Sequence, residues 1–149
     1  MNGEGRVTAP RRLVIEALGI DAAVVTVPIV DHQWDLSSLG HDIAHLGGSA
    51  YPGHGSNTVL AGHVTLRKGK GPLFDLEHLE PDATITVLDE AGLRYDYAVV
   101  KTVRVEPEDV SLLEASDTPI LTLITCADWD AITRTYRERL AVVAERSGR

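Results

Sequence analysis

The sequence has one cysteine, no apolar run long enough to span a bilayer and no concentration of positive charge, and each of these absences narrows what the protein can be. A lone thiol, Cys126, cannot form an intramolecular disulfide, so it is a core filler, an intermolecular link or a working thiol. The longest uncharged stretch, residues 43–66, is broken by Gly, Pro, Ser and His, whereas a spanning helix needs about 20 apolar residues in succession. Residues 1–10 lack the apolar centre of a signal peptide. Acidic side chains outnumber basic ones by 22 to 14, and the basic run Arg67, Lys68 and Lys70 is short, so a nucleic-acid partner is not expected. As given, the chain is expected to be soluble and unanchored.

No repeat, low-complexity tract or Pro/Gly-rich linker divides the 149 residues. A chain of this size buries roughly 70% of the surface its unfolded form exposes, enough for a core without disulfides or metals. We expect one domain over residues 11–145, flanked by loose ends at 1–10 and 146–149. Between these ends, short β-branched segments predict strands at residues 12–18, 22–27, 58–61, 83–88, 94–100, 120–125 and 136–144, with a hairpin-like turn at 19–21. Helical patterning is confined to residues 41–45, 75–79 and 110–114, too short for packed crossover helices. Many short strands and few helices favour a closed β-barrel, because closure removes exposed sheet edges.

Three residues could carry chemistry together. Cys126 ends the run 120–126, where a strand gives way to a polar loop, although free cysteine is also among the most buried residue types. His63 ends another strand and is the side chain best suited to give and take protons near neutrality beside a thiolate. On the last strand, Arg137 and Arg139 share one face with Ala141 and Val143; a permanently charged, forked donor there could hold a developing oxyanion. Arg137, nearer the loop, is read as a solvated arginine.

Other constellations fall short. His41 and His45, with Gly48 three residues on, have the spacing of the extended zinc-protease motif, but Asp42 replaces the required Glu and Tyr51 the third His. Residues 41–45 are therefore read as an exposed turn of helix, and His54 as loop. The acidic groups at 89–90 and 106–109 lack the spaced ligands of a calcium loop.

Taken in order, these segments resemble the sortases, bacterial cysteine transpeptidases. The resemblance rests on LVIEALGID at 13–21, PGHGSNTVLAGH at 52–63, GPLFDLEHL at 71–79, TLITC at 122–126 and YRERLAVVA at 136–144. It implies a mostly β, closed eight-stranded barrel with a few short helices. Cys126 would be the nucleophile, His63 the acid and base and Arg139 the oxyanion residue, with Thr125 a substrate contact. It further implies cleavage of an LPXTG- or LAXTG-type sorting signal between Thr and Gly, through a thioester. The acyl group would pass to an amine of a cell-wall precursor or a pilin lysine, and the chemistry needs no cofactor or metal. The approach to His63 and the short connector after Cys126 look more like classes D, E and F than class B. Sortases are usually tethered, so an extracellular catalytic domain lacking its anchor is expected at the outer face of the membrane. A sortase-like barrel that only binds peptide, or a thiol hydrolase, are the alternatives.

Overall fold

In the computed structural model, residues 8–31, 34–53, 55–66, 69–106, 111–125, 129–130, 135–136 and 139–147 are described. Twelve strands follow in chain order: β1 (Pro10–Ile15), β2 (Ile20–Val27), β3 (Ile43–Leu46), β4 (Asn57–Gly62), β5 (Thr65–Leu66), β6 (Gly69–Lys70), β7 (Thr84–Asp89), β8 (Arg94–Val105), β9 (Ile120–Thr125), β10 (Trp129–Asp130), β11 (Thr135–Tyr136) and β12 (Arg139–Arg146). Eight of them close a barrel in the order β1, β2, β3, β4, β9, β12, β8, β7, with β7 pairing back onto β1. The expected eight-stranded barrel is therefore what forms. The helical content among the described residues is three short 3-10 turns, at Glu16–Leu18, Leu76–His78 and Ser111–Leu113. None of these is long and apolar enough to cross a membrane.

Side chains alternate between two apolar clusters. Leu60, Leu121, Leu123, Leu140, Val142 and Ala144 point into the barrel, where they meet Leu13, Ile15, Ile43, Ile85, Val87 and Tyr97. The intervening residues Val59, Ala61, Ile124 and Ala141 form a second cluster on the outer face, covered by Trp34, Leu36, Leu39, Leu112 and Leu113. Both faces of β4 and β9 are thus covered, which explains their uninterrupted apolar runs. A bulge contributes as well. Val143 pairs with Lys101 but Ala144 with Val99, so one extra residue on β8 reverses its alternation. Tyr95, Tyr97 and Val99 consequently face inward, while Val103 and Val105 join the outer cluster.

Several expectations are corrected. Residues 43–46 form β3, parallel to β2, where a turn of helix was expected, because β3 completes the barrel between β2 and β4. The first strand stops at Ile15 and turns through Glu16–Leu18, closed by Gly19 in the left-handed region at φ 69°. β8 runs on to Val105, and the final segment is divided into β11 and β12.

Asn57 fastens the loop before β9 to the barrel. Its amide donates to the carbonyls of Leu112 and Glu114 at 2.9 and 3.0 Å, while its oxygen accepts from Thr122 Oγ1 at 2.9 Å. Asn57→Ala removes the partner of the buried Thr122 hydroxyl and of two loop carbonyls, and is expected to cost about 2–3 kcal/mol in chemical denaturation. A loss below about 0.5 kcal/mol would show that the clamp contributes little.

Candidate active site

Three strand ends meet at one end of the barrel. β4 and β9 are parallel and in step, with Ala61 opposite Ile124 and Gly62 opposite Thr125. β9 and β12 are antiparallel, with Ala141 opposite Ile124. His63 directly follows β4, and Arg139 is the first residue of β12. Alternation sets Arg139 on the outer face with Ala141, two residues along the same strand. Cys126 follows Thr125 in the sequence and lies outside the described residues, as do Arg137 and His54.

His63 is partly buried, and its Nε2 lies 2.9 Å from the Leu36 carbonyl oxygen. Its own carbonyl accepts from Leu73 N at 3.0 Å, and Gly71 N donates to the Val64 carbonyl at 2.8 Å. Gly71 packs so tightly here that a Cβ would overlap the His63 carbonyl, which explains a glycine before the sharp turn at Pro72. Arg139 is half-buried, and its Nε is shielded from solvent with no hydrogen-bond partner among the described residues. An unsatisfied guanidinium N–H in a folded protein is uncommon and calls for an acceptor. Thr125 is 3% exposed, and its Oγ1 accepts from Leu140 N at 2.9 Å, joining the end of β9 to the start of β12.

The remaining candidates have structural tasks. His45 is fully buried in β3. Its Nε2 contacts Ala50 O at 3.0 Å and Ser49 Oγ at 3.1 Å, while Nδ1 lies 3.1 Å from Thr26 Oγ1. His41 is exposed, and no group of three or more potential metal ligands gathers among the described residues. Asp89, considered above for calcium, instead receives Ala91 N, Leu93 N and the Tyr95 hydroxyl at 2.9 to 3.1 Å, capping the β7–β8 turn. An open groove lined by Arg11, Arg12, Asp21, Ala23, Leu88 and Asp89 contains neither His63 nor Arg139, the two candidate catalytic residues among those described. Sequence reasoning missed Leu36 and Gly71. A backbone carbonyl leaves no mark in sequence, although the Gly-Pro pair at 71–72 does mark a turn.

A family model described as the Sortase domain matches residues 13–147. The chain belongs to the sortase family. Among solved structures, sortase A from Corynebacterium diphtheriae is 26% identical with a TM-score of 0.76, the alignment covering 97% of this chain and 63% of that one. Sortase C-1 from Actinomyces oris is 25% identical at a TM-score of 0.76, covering 93% and 73%. A Clostridium perfringens sortase D5 transpeptidase, at 21% identity and a TM-score of 0.73 over 94% and 79%, shares the fold. This sortase thus spans just under two thirds of the length of the Corynebacterium diphtheriae chain it matches. No curated protein matches the chain. Sortases A, C and D superimpose almost equally well, so the fold does not assign a class.

The burial of His45 is expected to make the barrel of this sortase sensitive to acid. Burial holds the His45 pKa below its ordinary value of 6.5, with the bonds to Ala50 and Ser49 opposing the shift. The unfolded chain therefore binds the proton more readily, so this stability is fully present above ~6.5 and is lost as the pH falls below it toward the lowered folded pKa. Denaturation series across that range are expected to show a smaller acid loss in His45→Gln than in the native chain. Parallel losses would contradict this assignment.

Proposed function

We propose that residues 11–145 form the catalytic domain of a sortase transpeptidase in which Cys126, His63 and Arg139 act together. The observation that carries this reading is the register at the barrel end. Continued by one residue, the β4–β9 register would pair position 126 with His63, and continued by two, the β9–β12 register would pair it with Arg139. All three would then share the outer face with Ala61, Ile124 and Ala141. Family membership supports the same assignment.

In this reading a sorting signal of the LPXTG or LAXTG type lies over the outer face. The Cys126 thiolate attacks the carbonyl carbon between Thr and Gly, and the electron pair displaced onto oxygen is held by Arg139. The buried Nε, lacking a partner among the described residues, is a donor available for that task. As the tetrahedral species collapses, His63 gives a proton to the departing glycine amine and a thioester remains. An incoming amine, from a cell-wall precursor or a pilin lysine, is deprotonated by neutral His63 and attacks the thioester, releasing the thiolate and forming the new amide. Thr125, whose hydroxyl accepts from Leu140 N and so ties β12 to β9, would contact the bound signal at the end of β9. The protein acts at the outer face of the cell membrane.

Incubation with LPXTG- or LAXTG-type peptides and an amine, followed by mass spectrometry, is expected to give ligated product that Cys126→Ala abolishes. Hydrolysis alone in the presence of amine would identify a thiol hydrolase, and no processing of any signal would leave a binding barrel.

Arg139→Ala is expected to lower kcat by about 100-fold or more while changing stability by no more than about 1 kcal/mol. Proportionate losses of activity and stability would place Arg139 in the architecture alone.

A further inference from the structure

The segment between β2 and β3 reaches across the outer face and touches His63. Trp34, Leu36 and Leu39 pack on the outer apolar cluster, and the Leu36 carbonyl lies on Nε2 of His63 at 2.9 Å. The position of that carbonyl is fixed from several directions. The Trp34 indole N–H donates to the Gly47 carbonyl at 3.0 Å, and Gly47 N donates to the Val27 carbonyl at 2.7 Å. Gly47 sits against the backbone of Val27 and Pro28 where a Cβ would not fit, so the anchor joins the ends of β2 and β3. Asp35 accepts from Ser37 N at 3.0 Å and from Ser37 Oγ at 2.6 Å, and Leu39 N closes the turn onto Leu36 O at 3.3 Å.

A carbonyl oxygen can only accept, so Nε2 of His63 must carry a hydrogen whenever this bond is present. In the neutral ring Nδ1 is then the basic nitrogen. In the imidazolium Nδ1 bears the transferable proton while Nε2–H stays on Leu36, so the same contact survives both protonation states. We propose that Trp34 is a positioning residue for the transpeptidation: by anchoring the 34–39 strap, it keeps the Leu36 carbonyl on Nε2 of His63 and dedicates Nδ1 to proton transfer. This rests on His63 being the acid and base proposed above. Its benefit is a ring already oriented when substrate arrives, with no tautomer or rotamer to select.

Nitrogen-15 NMR of the full chain tests the strap separately from turnover. At a pH where His63 is neutral, the native chain is expected to show a slowly exchanging proton on Nε2 and an unprotonated Nδ1. Trp34→Phe keeps the ring but loses the bond to Gly47. It is expected to abolish the protection of that proton and to lower kcat roughly tenfold, with KM within about twofold and melting temperature nearly native. Asp35→Ala, which alters an exposed side chain, should move both readouts in the same direction and decides the matter if Trp34→Phe does not fold. A native proton on Nδ1, or variants that retain both the protected proton and kcat, would overturn the proposal. If no peptide is turned over, the NMR arm still tests the strap, so its failure is distinguishable from failure of the sortase chemistry.

Discussion

The parallel pairing of β4 with β9 is the contact on which the rest of the molecule depends. The two strands run in step from Asn57 opposite Ile120 to Gly62 opposite Thr125, and both are buried on both faces. Parallel neighbours cannot be joined by a hairpin, so the chain must travel through β5 to β8 before it returns beside β4. That route gives the barrel its closure and brings the ends of β4 and β9, at Gly62 and Thr125, side by side although they are far apart in sequence. β12 then locks onto the other side of β9, fastened at its start by the Thr125 hydroxyl. Loosening this ladder would disturb the core, the outer cluster and the candidate active site together.

The outer cluster shows how one sheet serves two purposes. Small residues, Ala44, Ala61 and Ala141, keep the outer surface of β3, β4 and β12 low, and longer side chains from two connecting segments cover it. One segment is tied down by Asn57 through the carbonyls of Leu112 and Glu114, the other by Trp34 through Gly47. Both fastenings use side-chain donors on backbone carbonyls, so the loops around the site are held by directional bonds as well as apolar contact. His63 is held through its carbonyl by Leu73 and through its ring by Leu36. Arg139 contrasts with this, since its buried Nε finds no acceptor among the described residues.

Much of this could be read from sequence where a residue's task is local. Alternation and β-branching mark β2, β4, β7 and β9, and the order of His63, Cys126 and Arg139 carries the family resemblance. β3 escapes because four residues preceded by His41 and Asp42 look like a turn of helix, and only the pairing with β2 on one side and β4 on the other makes them a strand. The length of β8 is obscured by Lys101 and Arg104 and by a bulge that reverses its alternation. Asn57, Gly71 and Trp34 act on backbone atoms 7 to 57 positions away, or on a carbonyl that acts on another residue in turn. Interactions of that kind are set by the fold and leave no periodicity in the chain.

The central claim is that Cys126, flanked by His63 and Arg139, forms a covalent acyl intermediate with a sorting signal. Its most direct test is intact mass spectrometry of the chain mixed with a sorting-signal peptide without amine and quenched in acid, followed by peptide mapping. The account predicts a mass increase equal to the acyl portion of the peptide ending at its threonine, located on Cys126 and released by added amine. A cleaved peptide with no adduct, or an adduct on any other residue, would contradict it.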